Sequence, residues 1–195
     1  MNALARGLQH AATCLSEFDV PWALVGGLAI STRCEPRFTR DIDLAVAVED
    51  DSAAEDLVFR FSQRGYTIDM IIEQDRAGRI ATARLRGEGS SLPAVVVDLL
   101  FASSGIESEI IAAAVPLEVL SGLQVPVASV GHLIAMKLLS ADRDRPKDEQ
   151  DIQSLLAVAD DRDRDVARQA TRLIQDRGYG RGRDLAEALE LHLHR

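Results

Sequence analysis

A chain of 195 residues, 47% hydrophobic, is long enough for one buried core, and its apolar runs stay short of the roughly 18–20 residues that a bilayer span needs, so the expectation is a soluble, cytoplasmic protein. A formal net charge of −9 excludes a broad electrostatic footprint for nucleic acid, and two cysteines, Cys14 and Cys34, are too few for a disulfide framework. The basic residues are lopsided: of 22, only Lys137 and Lys147 are lysines, and both fall in one short segment.

Leu4, Leu8, Ala11, Ala12 and Leu15 recur at helical spacing and predict an opening amphipathic helix that ends before Pro21. "WALVGG" reads as a short buried strand ending in a glycine pair, and "LAISTR" as the start of a helix. Residues 41–48 have strand character. Residues 52–64 read as a helix capped by Ser52 with Glu55 in the capping-box position. "YTIDMII" is a strand, and "RIATARLR" and "AVVVDLLF" form a hairpin around a polar turn. Residues 108–128 read as short strands and turns. Ser129 caps a helix through "VGHLIAMKLLSA", a charged link follows, and "KDEQDIQSLLAVA" opens a helical stretch that "GYGRGR" divides near its end. The order implies an α/β (α+β) core over residues 1–128, with a mixed sheet flanked by helices, and a helical C-terminal region over residues 129–195 that packs on the core and completes its site.

Acidic residues interrupt this apolar pattern in strands. Asp41 and Asp43 are two apart, so on a strand they share one face while Ile42 and Leu44 point to the core. Two carboxylates about 7 Å apart along a strand can converge on one hard cation, and magnesium with a bound phosphate is the natural compensation. Asp98 stands alone among Val95, Val96, Val97, Leu99, Leu100 and Phe101. If its strand lies beside the first, three acids share a face; the alternatives are that Asp98 caps a turn or pairs with an arginine at the sheet edge. The Gly26–Gly27 pair ends a strand and opens a helix, where exposed N–H groups favour an anion. Lys137 interrupts an apolar helix and so either snorkels to the surface or meets an anion; Asp148 and Asp151 share one helix face, and a local Lys–Asp ion pair between the two helices is the plainer reading. His132 reads as a polar surface group. Arg177, Arg181 and Arg183, with Tyr179, form the best basic patch, diluted by Asp176 and Asp184, and read as a solvated loop rather than an RNA contact.

Gly26–Gly27, then Asp41-Ile42-Asp43, then Asp98 resembles the DNA polymerase β-type nucleotidyltransferase signature, in particular its AbiEii-like branch, which includes toxins of type IV toxin–antitoxin systems. The signature covers residues 22–48 and 94–101. Residues 133–156 resemble that branch's Lys…Arg-x-Lys-Asp-x-x-Asp helix pair through Lys137, Arg145-Pro146-Lys147-Asp148 and Asp151. The resemblance implies a nucleotidyltransferase fold and a magnesium-dependent enzyme (manganese as the alternative ion) that moves a nucleoside monophosphate from an NTP to an acceptor hydroxyl and releases pyrophosphate. It implies that Asp41, Asp43 and Asp98 ligate metal, that Gly26, Gly27 and Lys137 meet the triphosphate, and that Asp148 completes the catalytic set. Ser31, Arg37 and Thr39 are further nucleotide-binding candidates. Ser31 is the first hydroxyl after the glycine pair, because Leu28 stands where the family often has Ser or Thr. The implied acceptor is tRNA, a small molecule such as an antibiotic, or a protein, with an antitoxin as partner. The alternative is a non-catalytic nucleotide- or partner-binding module on the same fold.

Overall fold

The structure, a computed structural model, describes residues 2–36, 38–74, 78–88, 94–141 and 146–194. In chain order the elements are α1 (Ala3–Glu17), β1 (Trp22–Val25), α2 (Gly26–Arg33), β2 (Asp41–Val46), α3 (Asp51–Ser62), β3 (Tyr66–Gln74), β4 (Arg79–Gly87) and β5 (Val96–Leu100). After them come α4 (Glu107–Ala112), β6 (Val115–Leu120), β7 (Leu123–Val127), α5 (Val130–Ser140), α6 (Pro146–Val158), α7 (Asp161–Asp176) and α8 (Leu185–Leu193). The strands form one mixed sheet in the order β3-β4-β5-β2-β1-β7-β6. β2 lies antiparallel to β1 and parallel to β5; β1 and β7 are parallel, and the two ends of the sheet are antiparallel hairpins.

Local chemistry accounts for most of these elements. The expected apolar stripe of α1 is buried through Leu8, Ala11 and Leu15, and Asn2 caps its first turn by accepting from the Ala5 N–H at 2.8 Å. All four residues of β1 are buried, as a central strand requires. In β2, Ile42 and Leu44 are buried while Asp41 and Asp43 are half-buried, which is the expected alternation. Ile42, Leu44, Val97 and Leu99 share one apolar cluster with Ile134 and Leu138 of α5 and Ile152 and Leu155 of α6, so the helices after residue 129 help to build the core. No helix among the described residues is long and apolar enough to cross a membrane.

Several local expectations are corrected. The cap of α3 is Asp50, whose carboxylate accepts from the Ala53 N–H at 2.9 Å, and not Ser52, which lies inside the helix; an extended residue ahead of the first turn is placed to cap and a helical one is not. A short helix, α4, stands at the start of a segment read as strands and turns. The Glu107 carboxylate at its start reaches back to the N–H groups of Ser103 and Ser104 at 2.9 and 2.7 Å. His132 is buried, paired with the Ser129 hydroxyl at 2.9 Å, and burial lowers its pKa. β3 is an edge strand whose Ile68, Met70, Ile71 and Ile72 are about half exposed.

Candidate active site

Asp43 is set by two strands and a helix end. In β1 it faces Val25, the last strand residue before Gly26 turns the chain into α2 at φ +62°. A Cβ built on Gly26 would stand 2.0 Å from the Asp43 Oδ2, so only glycine lets the carboxylate lie against this backbone. The Gly27 N–H donates to the same carboxylate, and the positive end of α2 faces it. Burial and the neighbouring Asp98 nonetheless push the Asp43 pKa up to about 6, with Asp41 adding to the repulsion.

The sign of that shift gives a prediction. The folded protein keeps the Asp43 proton over a window, about pH 4 to 6, in which the unfolded chain has lost it. Asp43 therefore withdraws stability as pH rises through that window. In EDTA at pH 7.5, Asp43→Asn is expected to melt several degrees above the wild type, and the gap should narrow by pH 4.5 and close below about pH 4. A variant that melts lower at both pH values would show that the charge is not a burden.

The parallel register of β2 and β5 sets Asp43 level with Asp98, and the antiparallel register of β4 and β5 sets Arg84 level with Asp98. The Arg84 guanidinium spans the carboxylate, with Nε to Oδ1 at 2.8 Å and Nη2 to Oδ2 at 2.7 Å. Asp98 is thus brought to the expected place, yet both of its oxygens are held by Arg84, the sheet ion pair that the sequence left as an alternative. Among the described residues no three His, Cys, Asp or Glu side chains stand as a group that could hold a metal ion. Asp41 and Asp43 are the donor pair that fits a divalent cation: hard oxygen ligands on one strand face, one of them raised in pKa by burial and by the neighbouring Asp98 charge. With Arg84 where it is, Asp98 does not fit as a third ligand.

Lys137 of α5 lies between two acids of α6. Its Nζ is 2.7 Å from Asp148 Oδ1 and 2.9 Å from Asp151 Oδ2, and the three side chains are only 17, 10 and 3% exposed. The ion pair between helices is therefore present, and at most one of the three ammonium donors is left for a ligand. Asp148 Oδ2 is buried with no hydrogen-bond partner among the described residues. Gly26, Gly27, Asp43, Lys137 and Asp148 line one cavity of about 330 Å³, together with Thr82, Ser103, Ser104 and Arg181.

Other candidates lie elsewhere. Ser31 and Thr39 border a separate cavity beside Phe38 and Leu28. The Ser31 hydroxyl bonds back to the Gly27 carbonyl at 3.0 Å, as a serine inside a helix does, and Thr39 precedes β2, so strand alternation does not turn it towards Asp43. Arg37 and Arg145 lie outside the described residues. Thr82, Arg84, Ser103 and Ser104 were missed. The one available signal was "ASSG" directly after the Asp98 strand; the pairing of β4 with β5 at Arg84 needs a register that no local pattern supplies.

Comparison with known proteins agrees with this arrangement. The family model described as "Nucleotidyl transferase AbiEii toxin, Type IV TA system" matches residues 9–194. No curated protein sequence matches the chain. Among solved structures, the antibiotic-resistance factor ANT(2″)-Ia aligns with a TM-score of 0.56 at 21% identity, over 100% of this chain and 99% of its own. An antigenic nucleotidyltransferase-like protein from Paracoccidioides brasiliensis aligns at 0.53 and 19%, over 95% of this chain and 91% of its own. The lincosamide antibiotic adenylyltransferase LnuA, in its lincomycin-bound form, aligns at 0.50 and 14%, over 79% of this chain and 97% of its own. These likenesses establish the nucleotidyltransferase fold.

Proposed function

This chain belongs to the AbiEii nucleotidyl transferase family, and from that membership we propose that it moves a nucleoside monophosphate from an NTP to an acceptor hydroxyl and releases pyrophosphate. The observation that carries the reading is the shared cavity: Asp43 against the glycine turn on one wall, and the Lys137–Asp148 pair on the other. Asp41 and Asp43 would hold a divalent cation, Mg²⁺ or Mn²⁺. Bound there, that ion supplies charge neutralisation and orientation of the triphosphate.

The remaining steps fall to the chain's own groups. The acceptor oxygen forms a bond to the α-phosphorus while the bond from that phosphorus to the bridging oxygen of pyrophosphate breaks. The acceptor's proton needs a receiver. Asp98 is committed to Arg84, whereas Asp148 Oδ2 has no partner among the described residues and belongs to a residue lining the cavity, so the proton is assigned to Asp148. Lys137 holds Asp148 in position. Asp98 with Arg84 acts as a rigid charge neighbour that tunes Asp43.

The family's description as a toxin supports an acceptor in the cell's own RNA, tRNA first, with small molecules and proteins as the other arms of a test, and an antitoxin as the protein that limits its action. Incubating the protein with each labelled NTP, Mg²⁺ and total RNA, then with small-molecule and protein pools, is expected to label one pool and release pyrophosphate. The label should vanish in Asp43→Ala. NTP binding without incorporation into any pool, and with no pyrophosphate, would replace the enzyme with a binding module.

A further inference from the structure

We infer that Arg181 is a polyphosphate-binding residue, the cation that grips the β- and γ-phosphates of the nucleotide; this rests on the nucleotidyl-transfer reading of the cavity. Among the described residues the charged groups lining that cavity are Asp43, Lys137, Asp148 and Arg181. Lys137 is already engaged by Asp148 and Asp151, so the Lys137 cluster together with Asp43 leaves an excess of acid. A triphosphate brought to such a wall needs a further cation. The guanidinium is the side chain best shaped for it, because its fork of donors matches phosphate oxygens.

Arg181 is also built into place. The loop between α7 and α8 is fastened to the core on both sides of it. Before it, Arg177 grips both carboxylate oxygens of Glu109 at 2.6 and 3.0 Å, and the Tyr179 ring packs on Gly105, where a Cβ would stand 2.5 Å from the ring at φ +74°. After it, Arg183 donates to the carbonyls of Leu139 and Ala141 at the end of α5. Arg177 and Arg183 thus anchor the loop, and Arg181 between them lines the cavity.

The backbone at this position makes the choice of residue informative. Arg181 has φ +54°, and Gly182 beside it has φ +75°. Glycine adopts that conformation freely and arginine does so only under strain. In "GYGRGR", where three neighbouring positions are glycine, residue 181 suits glycine by its backbone and carries arginine instead. A side-chain duty explains the exchange.

Arg181→Gly separates that duty from stability. Losing a charge-assisted contact to phosphate is expected to weaken binding of the preferred Mg-NTP by about 10- to 100-fold. Relief of the strained backbone should leave the melting temperature unchanged or raise it by about 2–4 °C. Arg181→Lys keeps the charge without the fork and should fall between. Isothermal titration with each NTP, the corresponding NMP and Mg-tripolyphosphate reads the claim directly: the wild type should prefer triphosphate to monophosphate, and Arg181→Gly should lose most of that preference, with NMP affinity little changed. An Arg181→Gly protein that binds NTP within about twofold of the wild type overturns the role of Arg181 alone. A fall in melting temperature with equal losses for NTP and NMP makes the residue structural and also overturns it. A wild type that binds no NTP and no tripolyphosphate overturns it together with the nucleotidyl-transfer reading.

Discussion

Replacing Lys137 with methionine is expected to cost about 3–5 kcal/mol of stability, the loss typical of stranding a buried charge. For a chain of 195 residues that is a fall of roughly 6–20 °C in melting temperature. The size follows from burial. Asp148 and Asp151 are 10 and 3% exposed, and each has its charge set against the same ammonium at 2.7 and 2.9 Å. Methionine preserves the stem and removes only the charge, so the deficit measures the two uncompensated carboxylates. Adding Asp148→Asn and Asp151→Asn to that variant should return more than half of the loss, because the repulsion disappears with the acids. Thermal melts of the single, the double asparagine and the triple variant close the cycle. A methionine variant that melts within about 2 °C of the wild type would mean that the pair carries no weight in the fold.

Gly26→Ala is expected to lower kcat/KM for nucleotidyl transfer by at least about 100-fold, since a shift of about 1 Å in a reacting group is enough for that loss. The new methyl would fall 2.0 Å from Asp43 Oδ2 and 2.7 Å from its Cβ, and the backbone at φ +62° cannot swing to relieve it without breaking the strand-to-helix turn. Asp43 must move. Gly78→Ala is the matched control: its φ is +58°, and among the described residues nothing lies within 4 Å of the added Cβ. That variant carries backbone strain alone, so it should lose about 1 kcal/mol of stability and no activity. Steady-state pyrophosphate release by the two proteins separates crowding from strain. Full activity in Gly26→Ala would free Asp43 from the role given to it.

The parts of the site that were legible in the sequence are those governed by short periods. Alternation put Asp41 and Asp43 on one face of β2 with Ile42 and Leu44 beneath them, and an acid alone among valines and leucines marked Asp98. Helical spacing put Asp148 and Asp151 together opposite Lys137. What stayed hidden depends on meetings between distant segments. Arg84 reaches Asp98 only because β4 and β5 pair in one of several registers that their apolar pattern allows, and Arg181 lines the cavity only because Arg177 and Arg183 tie its loop to α4 and α5. Ser31 and Thr39 were placed on different grounds: Ser31 by its distance from the glycine pair, Thr39 by extending the strand alternation of Asp41 and Asp43 backwards, while α2 turned one hydroxyl back on Gly27 and β2 began too late to orient the other.

The tethering of the α7–α8 loop also sets an order of assembly during translation. The glycine turn and the strand acids emerge from the ribosome first, and the wall that carries Arg181 is fastened through residues 177, 179 and 183, which are made well after them. A chain that stops before residue 177 holds an unfinished pocket, so the proposed site waits on a segment far along the chain from its acids.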